Sequence, residues 1–368
     1  MMLDYTIVGA GLFGSVFAHE AAKAGKKVAV IDKREHIGGN CYTEFISGIN
    51  VHKYGPHIFH TNDKEIWDYV NQFAEFNNFV NRPKVMNGEL YSFPINLMTL
   101  YQLWGVTTPD EAKVVLEMKK VKIKDPKNLK EWILSQVGYE IYHKFIEGYT
   151  TKQWGRDPAE LPASIIKRLP IRFTFDDNYF TDRYQGIPIG GYTQIFEKLL
   201  SGIPKVTGVD FFESREEIEK ESKKIVFTGK IDEFFDYNLG ELEYRSLRFE
   251  SELHEGDYQG NAVVNYTNAN VPFTRICEHK HFQFGQQENT IITKEYPDSY
   301  DKTKIPFYPV CDEKNNEMYR AYREQAKLLP NYIFGGRLAE YKYFDMHQII
   351  ASALSKWKKE FTGEQNGD

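Results

Sequence analysis

The sequence predicts an α/β protein in which a discontinuous, Rossmann-like dinucleotide-binding domain is interrupted by a helical bundle and an antiparallel β-sheet domain. Three observations carry this prediction. The first forty residues follow the order strand, glycine turn, helix, strand; residues 81–155 have mainly helical patterns; and strand-like alternation dominates from residue 224 onwards. A length of 368 residues fits two or three domains.

A glycine turn after the first predicted strand, residues 5–8, has the spacing of a dinucleotide-binding site. Gly9 permits the tight turn, Gly11 lets the backbone approach a pyrophosphate, and Gly14 allows the following helix to pack closely on the strand. Asp32, at the end of the next strand, can accept hydrogen bonds from a ribose diol, which favours FAD or NAD over NADP. The predicted contacts to the dinucleotide are Gly9, Gly11, Leu12, Phe13, Gly14, Asp32 and Lys33.

A second glycine pair shortly after this acid favours FAD. Residues 34–40 (REHIGGN) resemble the extended fingerprint of FAD-containing oxidoreductases, in which a loop runs along the cofactor. Most NAD dehydrogenases lack the pair. FAD is therefore the predicted cofactor, and Gly39 and Asn40 join its predicted contacts.

Later patterns predict the two inserted parts. Thr108 to Glu111 form a capping box with proline at the first helical position, and 129–137 and 140–147 are further amphipathic segments. Beyond a helix at 192–200, the predicted strands are 224–227, 244–249, 262–266 and 289–293, and the tail is a strand at 332–334 followed by a helix at 345–358.

Composition excludes several classes of protein. With 46 basic and 52 acidic residues the net charge is −6, which disfavours a general nucleic-acid binder. No apolar run approaches 18 residues, so we expect no membrane span, and the N-terminus lacks the basic region and cleavage site of a signal peptide. Three cysteines without a C-x-x-C pair fit a reducing compartment, and we expect a cytoplasmic protein.

Seven further segments match one flavoenzyme family, in the right order and across almost the whole chain. They are 54–60 (YGPHIFH), 148–155 (GYTTKQWG), 160–170 (ELPASIIKRLP), 176–180 (DDNYF), 244–247 (YRSL), 271–275 (VPFTR) and 336–346 (GRLAEYKYFDM). Together they closely resemble the bacterial UDP-galactopyranose mutases.

The resemblance implies an isomerase that uses FAD without net redox change. Members of this family interconvert UDP-galactopyranose and UDP-galactofuranose, which supplies galactofuranose for cell-surface polysaccharides. Non-covalently bound FAD is active when reduced, by NAD(P)H or another reductant, and its N5 attacks the anomeric carbon while UDP leaves and returns. The resemblance also implies a homodimer.

Patterns and resemblance together predict three interwoven domains. The FAD-binding domain is expected to comprise residues 1–80, 190–240 and 310–368, and a helical substrate domain residues 81–165. The antiparallel-sheet domain is expected to comprise 166–189 and 241–309, with a mobile substrate loop around 166–178.

Two arginines and a histidine are the catalytic residues that the resemblance implies. Arg168 and Arg275 match the family's diphosphate-binding arginines, and a bidentate guanidinium suits a leaving group that gains charge. His60 lies in the segment expected beside the isoalloxazine ring.

The same resemblance extends the cofactor site beyond the glycine turn. His57 and Ile58 are expected beside the flavin ring, and Arg337 near the flavin and the phosphates. Asp345 and Met346 begin the last predicted helix, whose N-terminus would face the flavin. A simple capping role for Asp345 stays open.

The expected substrate contacts are mostly aromatic and polar. Tyr149 and Trp154 match positions where uracil is gripped and stacked, and Tyr179, Tyr308 and Tyr343 match hydroxyls near the phosphates and the sugar. The full set is Asn81, Phe145, Tyr149, Thr150, Trp154, Arg168, Tyr179, Arg245, Asn265, Arg275, Tyr308, Arg337 and Tyr343. Phe273 and Phe307 depart from the family, whose close members often carry tyrosine there.

Two other kinds of function remain open at this point. An FAD oxidoreductase of the amine-oxidase kind shares the N-terminal fingerprint but predicts net hydride transfer and no arginines placed for a diphosphate. A nucleotide-sugar binding protein would keep the fold without the chemistry.

Two groups of histidines could suggest a metal site: His57 and His60 with nearby His52, and His279 with His281. No cysteine or paired carboxylate supports either group, and we predict no metal site.

Overall fold

The computed structural model describes residues 2–163 and 171–365. The strands in these ranges, numbered in chain order, are β1 Leu3–Val8, β2 Val28–Asp32, β3 Thr43–Ile46, β4 Ile49–His52, β5 Phe59–Thr61, β6 Lys84–Asn87, β7 Glu89–Ser92, β8 Tyr184–Gly186, β9 Lys205–Thr207, β10 Ser222–Phe227, β11 Tyr244–Glu255, β12 Val263–Tyr266, β13 Arg275–Glu278, β14 Asn289–Ser299, β15 Tyr308–Pro309 and β16 Tyr332–Phe334.

The α-helices follow the same numbering. They are α1 Leu12–Lys23, α2 Lys64–Val70, α3 Leu97–Trp104, α4 Pro109–Lys119, α5 Leu129–Ile141, α6 Gly148–Trp154, α7 Thr193–Leu199, α8 Arg215–Glu221, α9 Ile231–Phe234, α10 Glu313–Ala326, α11 Gly336–Ala339 and α12 Met346–Gln365. A π-helical turn, Tyr142–Glu147, joins α5 to α6. None of the helices in the described ranges has the length and apolar character that crossing a bilayer requires.

Five parallel strands from three separate parts of the chain form one sheet, in the order β16-β10-β1-β2-β9. Helices α1 and α12 pack on each other beside this sheet, and the rings of Phe17 and Trp357 lie 5.5 Å apart between centroids. A second apolar cluster contains Phe211, Phe227 and Phe234. Parallel sheets need cover on both faces, so these clusters explain the continuous apolar runs of β1, β2 and β10.

A seven-stranded, mainly antiparallel sheet follows the order β15-β11-β14-β13-β12-β6-β7. Its register sets Arg275 on β13 opposite Asn265 on β12 and opposite Glu295 on β14. Directly opposed residues of antiparallel strands share a face of the sheet, so three polar side chains from three strands lie side by side. The predicted fold class, a discontinuous Rossmann-like sheet with a helical insert and an antiparallel sheet, is confirmed.

Helices α3 to α6 bury a separate apolar cluster, which includes Leu100, Ile133 and Ile141. The capping box predicted at the start of α4 is present, with Thr108 accepting from the backbone of Glu111. This cluster supports α6, the helix that carries Tyr149 and Trp154.

The helical pattern predicted from residue 81 is wrong for its first part. Residues 84–92 form the hairpin β6–β7, and Gly88 turns the chain with φ of +76°. Asn-Gly between alternating residues is a strong hairpin signal, and it outweighs the helical composition around it. The predicted domain boundaries stay a prediction.

Candidate active site

The glycine turn stands between β1 and α1, as the spacing predicts. Gly9 has φ of +106°, which favours glycine, and a Cβ there would lie 2.0 Å from Thr228 Oγ1. A Cβ at Gly14 would lie 1.9 Å from the carbonyl oxygen of Gly9, so the protein's own packing forbids a side chain at that position.

Gly11 differs from its two neighbours in the motif. Among the described residues, nothing comes nearer to a Cβ built on Gly11 than the Cα of Gly39, at 3.9 Å. Its φ of −78° suits any residue. Because packing does not explain the glycine, the open space above it is a place where a ligand can reach the backbone at the start of α1.

The Asp32 carboxylate is held by the backbone and keeps capacity for a ligand. Oδ2 accepts from Ala10 N at 2.7 Å and Oδ1 accepts from Arg34 N at 2.8 Å. Each carboxylate oxygen has a further lone pair, so Asp32 can also accept from a ribose diol. Lys33 points to another partner: its ammonium pairs with Asp210 at 2.7 Å, and its side chain is 73% exposed.

Two guanidinium groups with unused nitrogens lie along the same cleft. Arg34 donates to Asn40 Oδ1 at 2.7 Å, and its Nη1 is buried without a hydrogen-bond partner in the described part of the chain. Arg337 donates to the carbonyl oxygen of Phe344 at 2.6 Å, and its buried Nε has no partner there either. Buried donors without partners are rare, so both nitrogens fit an anionic ligand such as the FAD diphosphate or flavin.

His57 is held as a neutral ring in this cleft. Its Nδ1 lies 2.9 Å from the carbonyl oxygen of Gly55, to which it can donate, and burial lowers the pKa of His57 to about 4, with a smaller contribution from Arg337. A neutral ring that donates from Nδ1 leaves Nε2 as an acceptor. Ile58, the next residue, packs instead into an apolar cluster with Phe79 and Phe282.

His60 is oriented by a carboxylate from a distant segment. Its Nδ1 lies 2.6 Å from Asp182 Oδ2, and its ring stacks on Phe180 with centroids 3.7 Å apart. His347, in the first turn of α12, makes an edge contact with the same ring at 5.1 Å. Met346 begins that helix, and the Sγ of Cys41 lies 3.7 Å from its Sδ. Asp345 directly precedes it.

Arg275 is the centre of a polar cluster formed by several elements. Its Nε donates to Asn265 Oδ1 at 3.1 Å, its Nη2 donates to Tyr149 Oη at 3.1 Å, and its Nη1 lies 3.4 Å from Glu295 Oε2. A guanidinium has five N–H donors, so these three contacts leave donors for a phosphate. We call Arg275, Glu295, Asn265 and Tyr149 the Arg275 cluster.

The electrostatics of the cluster keep its donors protonated. Burial opposes the charge of Arg275, but Glu295, whose side chain is 3% exposed, acts together with Tyr149, Cys277 and Tyr308 to raise the pKa of Arg275 well above its ordinary value. Burial raises the pKa of Tyr149 to about 12 and that of Tyr308 well above its ordinary value. At neutral pH these side chains therefore present N–H and O–H donors to an anion.

The Arg275 cluster borders the flavin-side segment directly. A Cβ on Gly55 would lie 3.3 Å from Glu295 Oε2, and Gly55 is also the acceptor for His57. The rings of Tyr308 and Tyr343 stack at 5.5 Å, and the guanidinium of Arg337 lies 5.2 Å from the centroid of the Tyr343 ring. The two predicted sites are thus neighbours in one cleft.

Several predicted substrate residues lie at the edge of this cleft. Arg245 Nε donates to the carbonyl oxygen of Gln153 at 3.0 Å, beside the half-buried Trp154. The backbone N–H of the partly exposed Tyr179 donates to the carbonyl oxygen of Asn81 at 2.8 Å, and Asn81 Oδ1 is buried without a partner in the described ranges.

Two further predicted substrate residues are buried, and their contact with a substrate stays a prediction. Phe145 and Thr150 are buried, and Phe145 packs on Tyr91 in the helical core. Arg168 lies outside the described residues, so its place in the site stays a prediction.

Glu295 and Asp182 contact site residues, and Lys152 lies on α6 between two of them, but none of the three carries a sequence-based prediction. Glu295 meets Arg275 through strand register, and Asp182 meets His60 across 122 positions of sequence, so no local pattern marks either residue. Lys152 stands inside the quoted segment 148–155 and could have been singled out there.

Two groups of side chains in the described ranges could in principle share a metal ion: His60, Asp345 and His347, and Asp257, Glu278 and His281. Neither is the set of histidines considered from the sequence. The Lys280 ammonium already pairs with Asp257 at 2.5 Å, which opposes a cation in the second group. The absence of a metal stays a prediction.

Comparison with known proteins gives one consistent family. A model of the UDP-galactopyranose mutase family matches residues 144–343, and a model of NAD(P)-binding Rossmann-like domains matches residues 7–73. A probable UDP-galactopyranose mutase of Klebsiella pneumoniae is 43% identical over 357 residues, covering 95% of this chain and 92% of that protein. The dTDP-fucopyranose mutase of Escherichia coli is 41% identical over 365 residues, covering 95% and 96%.

Solved structures show the same fold. A reduced UDP-galactopyranose mutase superposes with a TM-score of 0.76 at 12% identity, covering 98% of this chain and 94% of that chain. A putrescine oxidase superposes with a TM-score of 0.56 at 13% identity, covering 98% and 99%. The resemblance predicted from the motifs is confirmed: with a family match over more than half of its length and relatives above 40% identity over nearly all of it, the chain belongs to the UDP-galactopyranose mutase family and is an isomerase.

Proposed function

We propose that this chain binds FAD non-covalently and, with the flavin reduced, interconverts UDP-galactopyranose and UDP-galactofuranose without net redox change. Membership of the family supports a flavin cofactor and a UDP-sugar substrate. The observation that carries the proposal is the Arg275 cluster, a guanidinium with unused donors held in a cleft beside the flavin-side residues His57 and Arg337.

The residues of the cleft fit FAD. Gly11 leaves open space at the N-terminus of α1, Asp32 keeps acceptor capacity, and the buried nitrogens of Arg34 and Arg337 await an anionic partner. When bound and reduced, the flavin would supply the nucleophile, at N5, for the anomeric carbon of the sugar.

Within this scheme, the Arg275 cluster serves the leaving diphosphate. As the bond from the anomeric carbon to UDP breaks, negative charge grows on the phosphate oxygens, and Arg275 stabilises that charge. Tyr149, Tyr308 and Tyr343 would add hydroxyl donors. Glu295 orients the guanidinium and keeps it in place while UDP departs and returns.

Arg168 is proposed as the second diphosphate arginine, on a mobile loop around 166–178 that closes over the substrate. Trp154 is proposed to stack on uracil at the exposed end of α6. His60, oriented by Asp182, is proposed to stand at the flavin beside the sugar. The three interwoven domains are proposed with the predicted boundaries, and each would border the cleft.

The decisive test is turnover by the purified, FAD-loaded protein. UDP-galactofuranose is incubated with and without dithionite, and the products are separated by chromatography. Conversion to UDP-galactopyranose only under reduction supports the mutase. Stoichiometric consumption of reductant would support an amine-oxidase-like enzyme instead, and tight UDP-sugar binding without conversion would support a binding protein.

A second candidate substrate is dTDP-fucopyranose. The support is the E. coli relative, whose 41% identity is close to the 43% of the UDP-galactopyranose mutase relative. Fucose lacks the C6 hydroxyl of galactose, and the nucleotide carries a thymine and a deoxyribose. The two pyranose substrates, assayed in parallel with the reduced enzyme, are ranked by kcat/KM, and the higher value identifies the preferred substrate.

The biological setting is proposed from the same family. The product would supply galactofuranose for cell-surface polysaccharide, NAD(P)H or another reductant would reduce the flavin, and the enzyme would work in the cytoplasm as a homodimer. Unpaired Cys41, Cys277 and Cys311 fit a reducing compartment. Light scattering after gel filtration tests the dimer.

A further inference from the structure

Lys152 makes an unusual set of contacts close to the Arg275 cluster. Its ammonium lies within hydrogen-bond distance of four backbone carbonyl oxygens: 2.8 Å from Tyr266, 3.0 Å from Asn268, 2.9 Å from Val271 and 2.9 Å from Phe273. A lysine has three N–H donors, so all of them are used within the protein. Lys152 therefore has no donor left for a substrate.

All four carbonyl groups belong to one stretch of chain, the β12–β13 connection, which runs from Tyr266 at the end of β12 to Thr274. Asn265 immediately precedes this connection and Arg275 immediately follows it. Of the four carbonyl oxygens, that of Asn268 also accepts from the backbone N–H of Val271 at 3.2 Å, within a turn of the connection. The Lys152 ammonium gives all four a charged donor, which an irregular segment does not supply from its own backbone.

Lys152 itself belongs to the opposite wall of the cleft. It lies on α6, between Tyr149 and Trp154. Two other contacts lie at this junction. A Cβ on Gly148 of α6 would lie 2.2 Å from the carbonyl oxygen of Thr267, and Thr267 Oγ1 donates at 2.6 Å to the carbonyl oxygen of Lys144 in the preceding π-helical turn.

We propose that Lys152 is a positioning residue for the nucleotide-sugar cleft. By binding the β12–β13 connection, it fixes Arg275, at the start of β13, relative to Tyr149 and Trp154 on α6. The 3.1 Å contact between Arg275 and Tyr149 crosses this junction. Charge-assisted bonds to four carbonyl groups are strong enough to hold the two walls at one separation. The inference rests on the proposed function, because it assigns a role within the same site.

A matched pair of variants separates positioning from general stability. Lys280 is buried and donates to two backbone carbonyl groups, Gly256 at 3.0 Å and Gln287 at 3.1 Å, near the other end of β11 and β14; it also pairs with Asp257. We expect Lys152→Met and Lys280→Met both to lower Tm. Only Lys152→Met should weaken UDP binding, about tenfold or more, and lower kcat.

The measurements are UDP affinity by calorimetry, kcat and KM of the reduced holoenzyme, Tm, and hydrogen exchange of 148–155 and 266–275. Assays run at pH 7, because burial lowers the pKa of Lys152 to about 8 and the ammonium is still charged there. If Lys152→Met does not fold, Lys152→Gln, which keeps two N–H donors, takes its place, and the loss of UDP affinity is again the measurement that decides.

Chemical rescue gives the sharpest readout. In Lys152→Ala the four carbonyl oxygens would surround a space that ammonium or propylammonium can enter. At constant ionic strength these ions should restore UDP affinity several-fold, whereas tetramethylammonium, which has no N–H, should not. Lys280→Ala should gain no UDP affinity from any of them.

UDP affinity within twofold of the wild type in Lys152→Met, or an equal loss in Lys280→Met, would overturn the inference. If the wild type itself neither binds UDP nor converts the sugar, the proposed function fails instead. In that case hydrogen exchange still decides the structural part, since Lys152→Met and not Lys280→Met should expose 266–275.

Discussion

The dinucleotide turn and the Arg275 cluster are both proposed to hold a diphosphate, and they are built in opposite ways. The turn uses consecutive residues whose side chains are absent, with Gly9 and Gly14 fitted to the protein and Gly11 open to a ligand. The cluster uses side chains from α6, β12, β13 and β14, and the other three all contact Arg275.

The difference follows from the overall charge. A chain with net charge −6 has no general positive field to attract two diphosphates. Backbone N–H groups at a helix N-terminus serve one of them, and placed guanidinium groups serve the other. The first arrangement fails when a side chain is added, and the second fails when one is removed.

The largest effect on stability is expected from adding a methyl group to the turn. Gly14→Ala places a Cβ 1.9 Å from the carbonyl oxygen of Gly9, and we expect a loss of about 3 kcal/mol or more in the free energy of unfolding. Gly11→Ala meets no such contact, so it should cost only about 1 kcal/mol, as an alanine N-cap does. Urea unfolding of both apo variants measures this.

FAD affinity is a second measurement that distinguishes the role of Gly11 from that of Gly14. Gly11→Ala should fold but bind FAD poorly, because its methyl group enters the space proposed for the pyrophosphate. FAD retained at wild-type affinity in folded Gly11→Ala would contradict the proposed site. Equal stability of the two apo variants would contradict the packing argument.

The largest effect on turnover is expected from removing the Arg275 side chain, the centre of the Arg275 cluster. Arg275→Ala takes away the proposed clamp on the leaving group and leaves Glu295 as a buried, unpaired carboxylate. We expect turnover to fall by about 1,000-fold, of the order seen when one oxyanion donor is lost, while FAD stays bound. Steady-state kinetics and the flavin absorbance of the purified variant check both parts.

The double variant Arg275→Ala with Glu295→Gln is the control for the unpaired charge. It should recover stability relative to Arg275→Ala but not turnover. If it recovers turnover, Arg275 serves only to neutralise Glu295, and the proposed role in the reaction is wrong.

The same contrast explains which parts could be predicted from the sequence. The turn is local, so spacing alone places Gly9 to Gly14 and Asp32, and the alternation of strands gives the fold class. The Arg275–Glu295 contact depends on strand register, and Asp182 reaches His60 from 122 positions away, so neither is legible in a local pattern. The motifs marked Arg275 and Tyr149 only through family resemblance.

An intermediate effect is expected at the exposed end of α6. Trp154→Ala should weaken UDP binding by about 1–3 kcal/mol, the value of one stacked base, with a smaller change in kcat. Trp104→Ala on α3 is the matched control, since Trp104 bonds to Glu140 in the helical bundle. Calorimetric titration with UDP measures both. Unchanged UDP affinity in Trp154→Ala would remove that residue from the site.

The last effect is expected only in acid, at the buried histidines beside the flavin segment. Burial keeps these rings uncharged, whereas Arg275 is charged and paired with Glu295. His279 Nδ1 accepts from the backbone N–H of His52, and His52 Nδ1 accepts from that of His57, at 3.3 and 3.1 Å. A proton on either Nδ1 would face an N–H group. Burial lowers the pKa of His279 to about 3 and that of His52 well below its ordinary value.

These pKa values make stability fall in acid. Between the unfolded pKa of His279, about 6.5, and its folded pKa, about 3, the unfolded chain binds the extra proton, so the free energy of unfolding decreases as pH falls. From pH 7 to pH 5, His279 alone should account for about 2 kcal/mol of the loss in the apoprotein. His279→Gln should remove this part of the pH dependence, about 2 kcal/mol.

Thr293→Val is the control, because it takes away the partner of His279 Nε2 at 2.7 Å but keeps the ring. It should lower the free energy of unfolding by a similar amount at both pH values. Equal pH slopes for His279→Gln and the wild type would show that the pKa of this histidine is the same in the folded and the unfolded chain, and that burial beside the flavin segment does not exclude its charge.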